Sequence, residues 1–155
     1  MVKKVTFSKE RPEQSLGFVF WQVSNLWQRK IGEVLKPLNL THVQFVLLAG
    51  IGWFNKTHIS ATQTMLAQHA KTDIMMTSKV VRTLEAKKLI IREIHSTDTR
   101  AKSLVLTQAG AKLLTQALAI VEHVDEIFFK ELGIQTGSFL ANLTRLVDAS
   151  RLREK

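Results

Sequence analysis

The spacing of apolar residues changes twice along this 155-residue chain, and these changes constrain the fold more than any single motif does. From residue 16 to about residue 86, apolar side chains recur every three or four positions, as amphipathic helices require. Two aliphatic and β-branched runs, 89–95 and 102–106, then flank a polar segment, which predicts one β-hairpin. Helical spacing returns from residue 107 to about residue 152. The sequence therefore predicts a single, mainly α domain with a small β-hairpin.

Proline and capping residues predict where the first two helices begin and end. A long helix is expected over 16–35, because Pro37 lacks the amide that would continue it. Thr41 and Gln44 have the spacing of a capping box, in which each side chain bonds the backbone amide of the other. The second helix is therefore expected to begin directly after Thr41.

Two shorter helices are expected before the hairpin. Ser60 or Thr62 is expected to cap the first, which runs to about Ala70, and Asp73 to open the second. Apolar positions between residues 77 and 84 follow i, i+3, i+4 and i+7, so one face of this second helix is expected to be buried. The opposite, outward face carries Met75, Met76, Ser78, Lys79 and Arg82.

After the hairpin, two more helices complete the predicted fold. The first is expected from Thr107 to about Leu132, with Gly133 closing it, and the last from Thr136 to about Leu152.

The charge of the chain is strongly basic and unevenly distributed. Lys and Arg total 22 against 13 Asp and Glu, which gives a net charge of +9 and favours a polyanionic partner such as nucleic acid or an anionic membrane. Segments 1–36 and 71–102 each carry +4, whereas 103–155 is neutral. Because the cations gather on a helix and a hairpin rather than along one amphipathic helix, the membrane interpretation fails and nucleic acid is favoured.

Several chemistries are excluded or disfavoured by what the sequence lacks. With no cysteine, disulfides, thiolate nucleophiles and cysteine zinc sites are excluded. GxSxG, GxGxxG and P-loop patterns are also missing, so no enzyme and no cofactor are expected. The histidines lack HExxH spacing; His42 with Glu122 and His123 could converge as a zinc sensor, but capping and surface contacts are favoured, so no metal is expected.

The N-terminal segment has no apolar run of signal-peptide length, and no stretch approaches the roughly 20 apolar residues of a membrane span. We therefore expect a cytoplasmic protein.

A short helix, a turn, a second helix with an exposed cationic face and a basic hairpin together predict a winged helix-turn-helix. In this architecture the second helix enters the major groove of DNA, and the hairpin, or wing, contacts the neighbouring minor groove or backbone. Met75 and Met76 have two interpretations: apolar contact with thymine methyl groups, or packing against the preceding short helix. The sequence favours neither.

The sequence of these predicted elements resembles the MarR family of bacterial transcriptional regulators, and its SlyA-like members in particular. The likeness lies in segments 35–41, 66–67 and 81–90, and most specifically in the hairpin sequence 98–102 followed by Leu106-Thr107. The resemblance implies that Asp98 orients Arg100 toward DNA, and that Arg100 and Lys102 make wing contacts.

The same resemblance implies a homodimer on a pseudo-palindromic operator. Segments of about 10–36 and 107–155 would form the dimerisation helices, and about 40–106 the DNA-binding lobe. The candidate interface residues are Phe18, Phe128, Phe129, Phe139 and Leu143.

Regulators of this kind often hold a small aromatic or phenolic effector, for which Trp21, His42 and Phe45 are the candidate residues. A core position is the alternative for Trp21 and Phe45, as it is for Trp27 and Trp53. An alternative function is a nucleoid-associated, RNA-binding or protein-binding winged helix without an effector. The sequence does not distinguish repression from activation.

The chain departs from the family at two turns that usually contain glycine. Lys71 stands in the turn between the two short helices, and Lys88 follows the second of them. Either these lysines adopt the left-handed conformation at some cost, or the turns differ and the recognition helix tilts.

Overall fold

A computed structural model describes residue 6 and residues 8–94 and 101–153, with side chains as far as residue 150. The described part is mainly helical, with one antiparallel hairpin, as the spacing of apolar residues predicts. The elements are α1 (Leu16–Leu35), α2 (His42–Lys56), α3 (Gln63–Ala70), α4 (Ile74–Ala86), β1 (Ile90–Ile94), β2 (Lys102–Leu106), α5 (Gln108–Phe129) and α6 (Thr136–Arg153). Short 3-10 segments lie at Pro12–Gln14, Lys36–Leu38 and Lys130–Gln135.

The predicted capping box at the start of α2 is confirmed. The Thr41 hydroxyl oxygen accepts the Gln44 amide at 3.2 Å, and the Gln44 side-chain oxygen accepts the Thr41 amide at 3.3 Å. Of the two residues proposed to cap α3, Thr62 is the cap, accepting the Met65 amide at 3.2 Å. These local hydrogen bonds satisfy amides that have no partner within the helix itself.

The hydrophobic core is built around α2. This helix buries Leu47, Leu48 and Ile51 completely, because it contacts α1, α3, α4, α5 and β2 on several of its sides. The other fully buried apolar side chains come from α1, α3, α4 and the hairpin: Ile31, Leu35, Leu66, Val81, Leu84, Ile90 and Leu104. The core thus joins the helix-turn-helix and the hairpin into one rigid lobe.

Within this lobe, one side chain of α2 bonds the backbone of the hairpin twice. β1 and β2 pair antiparallel, with Ile90 opposite Leu106. The Asn55 amide nitrogen donates to the Leu104 carbonyl at 3.1 Å, and its oxygen accepts the Leu106 amide at 2.9 Å. The free edge of β2 is therefore partnered, and the base of the wing is fixed in position.

The end of α5 differs from the prediction. The helix ends at Phe129, and a 3-10 segment, Lys130–Gln135, follows it. Gly133 lies inside that segment with φ 51° and ψ −126°. It does not close α5; it makes the bend that redirects the chain into α6, which its left-handed φ allows.

Two of the tryptophans offered as core residues are exposed in the single chain, and for them the core interpretation is wrong. Trp21 keeps 63% of its surface exposed and Trp53 keeps 55%. Phe45 is buried and Trp27 packs against the core. Apolar spacing on a helix indicates that one face is covered, but it does not identify what covers that face. Residues predicted to be in the core can therefore be exposed in the single chain.

A large apolar surface remains uncovered on α1, the end of α5, and α6. No described side chain of α6 is buried, and the helix packs mainly against the 3-10 segment before it. The exposed apolar residues include Leu16, Phe20, Trp21, Leu26, Ile127, Ile134, Leu140, Leu146 and Val147.

Within the described residues, no single helix has the length and apolar character to cross a bilayer. One bent pair, 16–38 with 42–56 at 77°, meets those two criteria jointly.

Candidate nucleic-acid interface

The turn between α3 and α4, and the turn after α4, each contain a lysine at a position where the family usually has glycine. Lys71 has φ 54° and ψ 39°, and Lys88 has φ 58°, so both adopt the left-handed conformation. At the first turn the Lys71 and Thr72 amides both donate to the Ala67 carbonyl, which caps α3. The first of the two alternatives is therefore correct: the turn geometry is kept, at the conformational cost of a non-glycine residue with positive φ.

The start of α4 is fixed by Asp73. Its Oδ1 accepts the Met75 amide at 2.8 Å and the Met76 amide at 2.9 Å. Thr77 faces inward, where its hydroxyl donates to the Asp73 carbonyl and shares a 2.8 Å hydrogen bond with the Thr72 hydroxyl. These bonds define the rotation of α4, and so decide which side chains face solvent.

The outward face of α4 holds the residues that the sequence places there. Met75, Lys79 and Arg82 follow each other at i, i+4 and i+7 and are all exposed. Lys79 and Arg82 form no ion pair with any described side chain. A shallow groove along this face is lined by Met75, Met76, Ser78, Lys79, Arg82, Thr83 and Ala86.

The C-terminal end of α4 is anchored by Lys87, a role that the sequence did not indicate. The Lys87 ammonium donates to the Asn39 carbonyl and, at 3.0 Å, to the Gln44 side-chain oxygen. Asn39 itself has φ 54° and caps the 3-10 segment after α1. Because Lys87 contacts residues more than 40 positions away, local spacing gives no signal for it.

The wing is joined to α4 by an ion pair. Arg92 on β1 donates through Nε to Glu85 Oε2 at 3.0 Å. This contact neutralises Arg92, so the cations that remain outward in the described part of this region include Lys79, Arg82 and Lys102. Asp98 and Arg100 lie outside the described residues, and their wing roles stay a prediction.

Trp21, His42 and Phe45, the residues predicted to form an effector site, do not line one cavity in the described part of the chain. The prediction that they form one site is therefore wrong. Phe45 lines a cavity of about 790 Å³ between α2, α3 and α5, together with Trp53, Lys56, His69 and Glu122. Trp21 lies on a separate surface of α1. His42 instead packs edge-on against Trp27, with the ring centroids 5.0 Å apart. The reason is that Trp27, rather than Trp21, is the tryptophan of α1 that lies opposite the start of α2.

Trp27 and His42 belong to a junction that joins α1, α2 and α5. The Trp27 indole donates to Asp125 Oδ1 at 2.7 Å. Burial lowers the pKa of His42 below its ordinary value, and the negative charge of Asp125 opposes this shift.

The residues of the zinc alternative are not brought together. His42 is engaged with Trp27, Glu122 lines the cavity, and His123 lies 4.0 Å from Glu126 on the exposed side of α5. Across the described ranges, no group of three or more His, Asp or Glu side chains could hold a metal ion.

The candidate interface residues lie in two aromatic groups. Phe128, Phe129 and Phe139 form a chain of ring contacts at the α5–α6 corner, with centroid separations of 5.1 and 6.2 Å. Phe18 stacks on Trp21 near the start of α1 at 6.3 Å. Leu143 is half-buried on α6.

The helix-turn-helix, its exposed cationic helix and the attached hairpin define a winged-helix protein of the DNA-binding class. The profile of the MarR family matches residues 40–102. The chain is also 43% identical over 136 residues to the uncharacterized HTH-type transcriptional regulator YdcH of Bacillus subtilis (strain 168), covering 88% of this chain and 92% of that protein. The chain belongs to the MarR family of DNA-binding transcriptional regulators, as the sequence resemblance predicts.

Solved structures share the fold over most of the chain. The MepR–DNA complex of S. aureus superposes with a TM-score of 0.76 at 24% identity, covering 90% of this chain and 99% of that one. CouR from Rhodococcus jostii RHA1, bound to p-coumaroyl-CoA, gives 0.73 at 21% identity, covering 88% and 91%. At these identities the likeness concerns the fold.

Proposed function

We propose that the protein is a cytoplasmic regulator of transcription that binds a pseudo-palindromic operator as a homodimer, with one α4 in the major groove of each half-site. The observation that carries this proposal is the outward face of α4, where exposed Lys79 and Arg82 stand on a helix whose two ends are anchored by Asp73 and Lys87. A rigid recognition helix can align with base edges at little entropic cost.

The apolar surface of α1, α5 and α6 supports the homodimer. A single chain exposing this many large apolar side chains on contiguous helices needs a partner surface, and a two-fold interface is the commonest solution. In our proposal the helices of about residues 10–36 and 107–155 form that interface, with Phe18, Phe128, Phe129, Phe139 and Leu143 among its contacts. The lobe of about residues 40–106 then binds DNA.

The wing would extend each contact beyond the major groove. Lys102 begins β2 and is exposed, and the Glu85–Arg92 pair ties the hairpin to α4. We assign Arg100 and Lys102 to DNA contacts and Asp98 to orienting Arg100. Arg100→Ala is expected to weaken operator binding by about 1–3 kcal/mol, as loss of a base-specific arginine contact does. Unchanged affinity would remove the wing from the proposal.

Binding to duplex DNA can be tested with the purified protein and its own upstream DNA. Fluorescence anisotropy across a salt series should give affinity for that duplex about a thousandfold above a scrambled one. Each phosphate contact should add about −0.9 to the slope of log affinity against log salt, and Lys79→Gln should reduce the slope by about one contact. Equal, weak binding to both duplexes would favour the nucleoid-associated or RNA-binding alternative.

The cavity between α2, α3 and α5 favours a second element of this function, control by a small aromatic effector. Its lining is mostly apolar, with Phe45, Trp53 and Leu114, and the Lys56 ammonium lies 5.7 Å from the centre of the Trp53 ring. An aromatic acid would find both an apolar wall and a cation there. Control would require the effector to bind the DNA-free arrangement of the two lobes more tightly than the DNA-bound one.

Hydroxybenzoates and hydroxycinnamates are suitable probes for this cavity. We expect one of them to raise the melting temperature of the protein and to weaken DNA binding. Ala111→Trp, at an exposed position on the cavity rim, should abolish both effects while leaving DNA binding without the probe intact. Probes that act equally on wild type and this variant would place the effector elsewhere.

A further inference from the structure

We propose that Met75 and Met76 recognise thymine methyl groups, so that each operator half-site carries thymines opposite the N-terminal turn of α4. This inference rests on the proposed function, since it requires α4 to enter the major groove. It adds the chemistry by which one end of that helix selects bases.

The exposure of the two methionines separates the interpretations that the sequence leaves open. Met75 keeps 75% of its surface exposed and Met76 keeps 39%, so packing against α3 does not account for Met75. Ile74 beside them is 42% exposed. The inner side of α4 is already filled by Thr77, Val81 and Leu84, which are completely buried. The N-terminal turn of α4 therefore presents an apolar surface outward.

The backbone that carries these side chains is fixed, as a specific contact requires. The Asp73 carboxylate holds the amides of both methionines through one oxygen, and Asp73 is thereby committed to capping the helix. The backbone at this turn is rigid, whereas the thioether side chains remain adaptable. In helix-turn-helix proteins, the N-terminal residues of the recognition helix are those that contact base edges.

The charges on the same face identify DNA as the partner of this apolar turn. Lys79 and Arg82 follow Met75 in line, about 6 and 10 Å farther along the helix axis. An apolar turn continuous with exposed cations suits a major groove, where methyl groups project between two phosphate backbones. Thymine is the one base of the four that presents a methyl group there.

The test compares thymine with uracil, which differs by this methyl group alone. The tightest duplex for the wild-type protein is first selected from a randomised pool, and each thymine is then replaced singly by deoxyuridine. At one or two positions per half-site we expect affinity to fall about fourfold per methyl group, from the transfer free energy of one buried methyl. Met75→Ala and Met76→Ala should bind more weakly and lose this sensitivity.

Two further variants serve as controls. Met75→Leu keeps an apolar side chain and should retain the sensitivity to deoxyuridine. Lys79→Gln should weaken thymine and uracil duplexes by the same factor. Because Met75 is so exposed, circular dichroism of its variants should match wild type.

The outcomes of this experiment separate the two proposals. If no selected duplex binds better than a scrambled one, the proposed function fails. If a specific duplex is found but no deoxyuridine changes its affinity by as much as twofold, or the alanine variants keep full sensitivity, methyl recognition is wrong. In that case the exposed methionines would be assigned to a protein partner.

Discussion

Among the glycines of the chain, Gly110 is the one where an added side chain would meet the closest atom. A Cβ atom at this position would lie 1.9 Å from the Leu89 carbonyl oxygen, far inside any contact distance. That oxygen accepts the Thr107 amide at 3.0 Å, and the Thr107 hydroxyl accepts the Gly110 amide at 3.0 Å. The start of α5 and the end of the helix-turn-helix thus meet backbone to backbone, which leaves no space for a side chain.

We expect Gly110→Ala to lower the free energy of unfolding by about 1–3 kcal/mol, because the backbone must shift to relieve the clash. Urea titration followed by circular dichroism would measure the change. Gly32→Ala is the matched control, since a Cβ there meets nothing within 4 Å, and alanine favours the interior of α1 by about 0.5–1 kcal/mol. Equal stability of the two variants would show that the close approach is relieved without cost.

His42 links stability to pH through its position between α1, α2 and α5. Its pKa in the folded protein is lowered, first by burial, with Asp125 acting in the opposite direction. Since the unfolded chain binds the proton more readily, stability is fully present above the ordinary pKa of about 6.5 and is lost as pH falls below it.

His42→Gln should therefore flatten the fall in unfolding free energy between pH 7.5 and 5.5. Asp125→Asn should make it steeper, because the opposing negative charge is removed while an oxygen remains for the Trp27 indole. His123→Gln changes an exposed histidine and serves as the control. If His42→Gln keeps the full wild-type pH dependence, another group is responsible for it.

At the scale of elements, the attachment of the wing depends on contacts distant in sequence. Asn55 bonds the backbone of β2 on both sides of Val105, and the Leu104 amide donates to the Ala61 carbonyl at 2.8 Å. The hairpin is therefore aligned by α2 and by the segment before α3, as well as by its own strand pairing.

Asn55→Ala should leave the Leu104 carbonyl and the Leu106 amide without their side-chain partner. We expect a loss of about 1–3 kcal/mol in stability, as for unsatisfied buried polar groups. Hydrogen exchange followed by NMR should show faster exchange at Leu106 than in wild type. Thr115→Ala, which removes a hydroxyl bonded within its own helix, should leave the Leu106 exchange rate unchanged.

Local sequence signals predicted the helices and the hairpin well, whereas contacts between residues distant in sequence could not be predicted. Thr41 and Asp73 fixed helix starts because capping involves residues two or three positions apart. Lys87 and Asn55 act on partners more than 40 residues away, which no local pattern encodes. The exposure of Trp53 escaped prediction for another reason: apolar spacing does not distinguish a covered face from one left open.

At the scale of the whole molecule, the buried core includes the helix-turn-helix, the hairpin and the inner faces of α1 and α5, whereas α6 lies outside it. On α6, Leu140 is 63% exposed and Leu146 is 66% exposed. No side chain of this helix is buried as far as residue 150. Such a helix gains most of its stability from packing against a partner. The proposed homodimer is thus tied to the folding of α6 itself.

Leu146→Glu should shift the protein toward the monomer, because it places a charge in the proposed apolar interface. Sedimentation velocity should show a lower mass at micromolar concentration, together with lost helicity. Ala141→Glu introduces the same charge on the opposite face of α6 and should leave the mass unchanged. A wild-type protein that sediments as a monomer would rule out the interface.

The most direct test of the account is a hydroxyl-radical footprint of the protein on its own upstream DNA. A dimer with one α4 in each half-site should give two protected segments related by two-fold symmetry and centred about one helical turn, or 10 base pairs, apart. Lys79→Gln should weaken both segments together, since each protomer contributes one α4. A single protected segment, or uniform weak protection without a centre of symmetry, would contradict a dimer that places one recognition helix in each half-site.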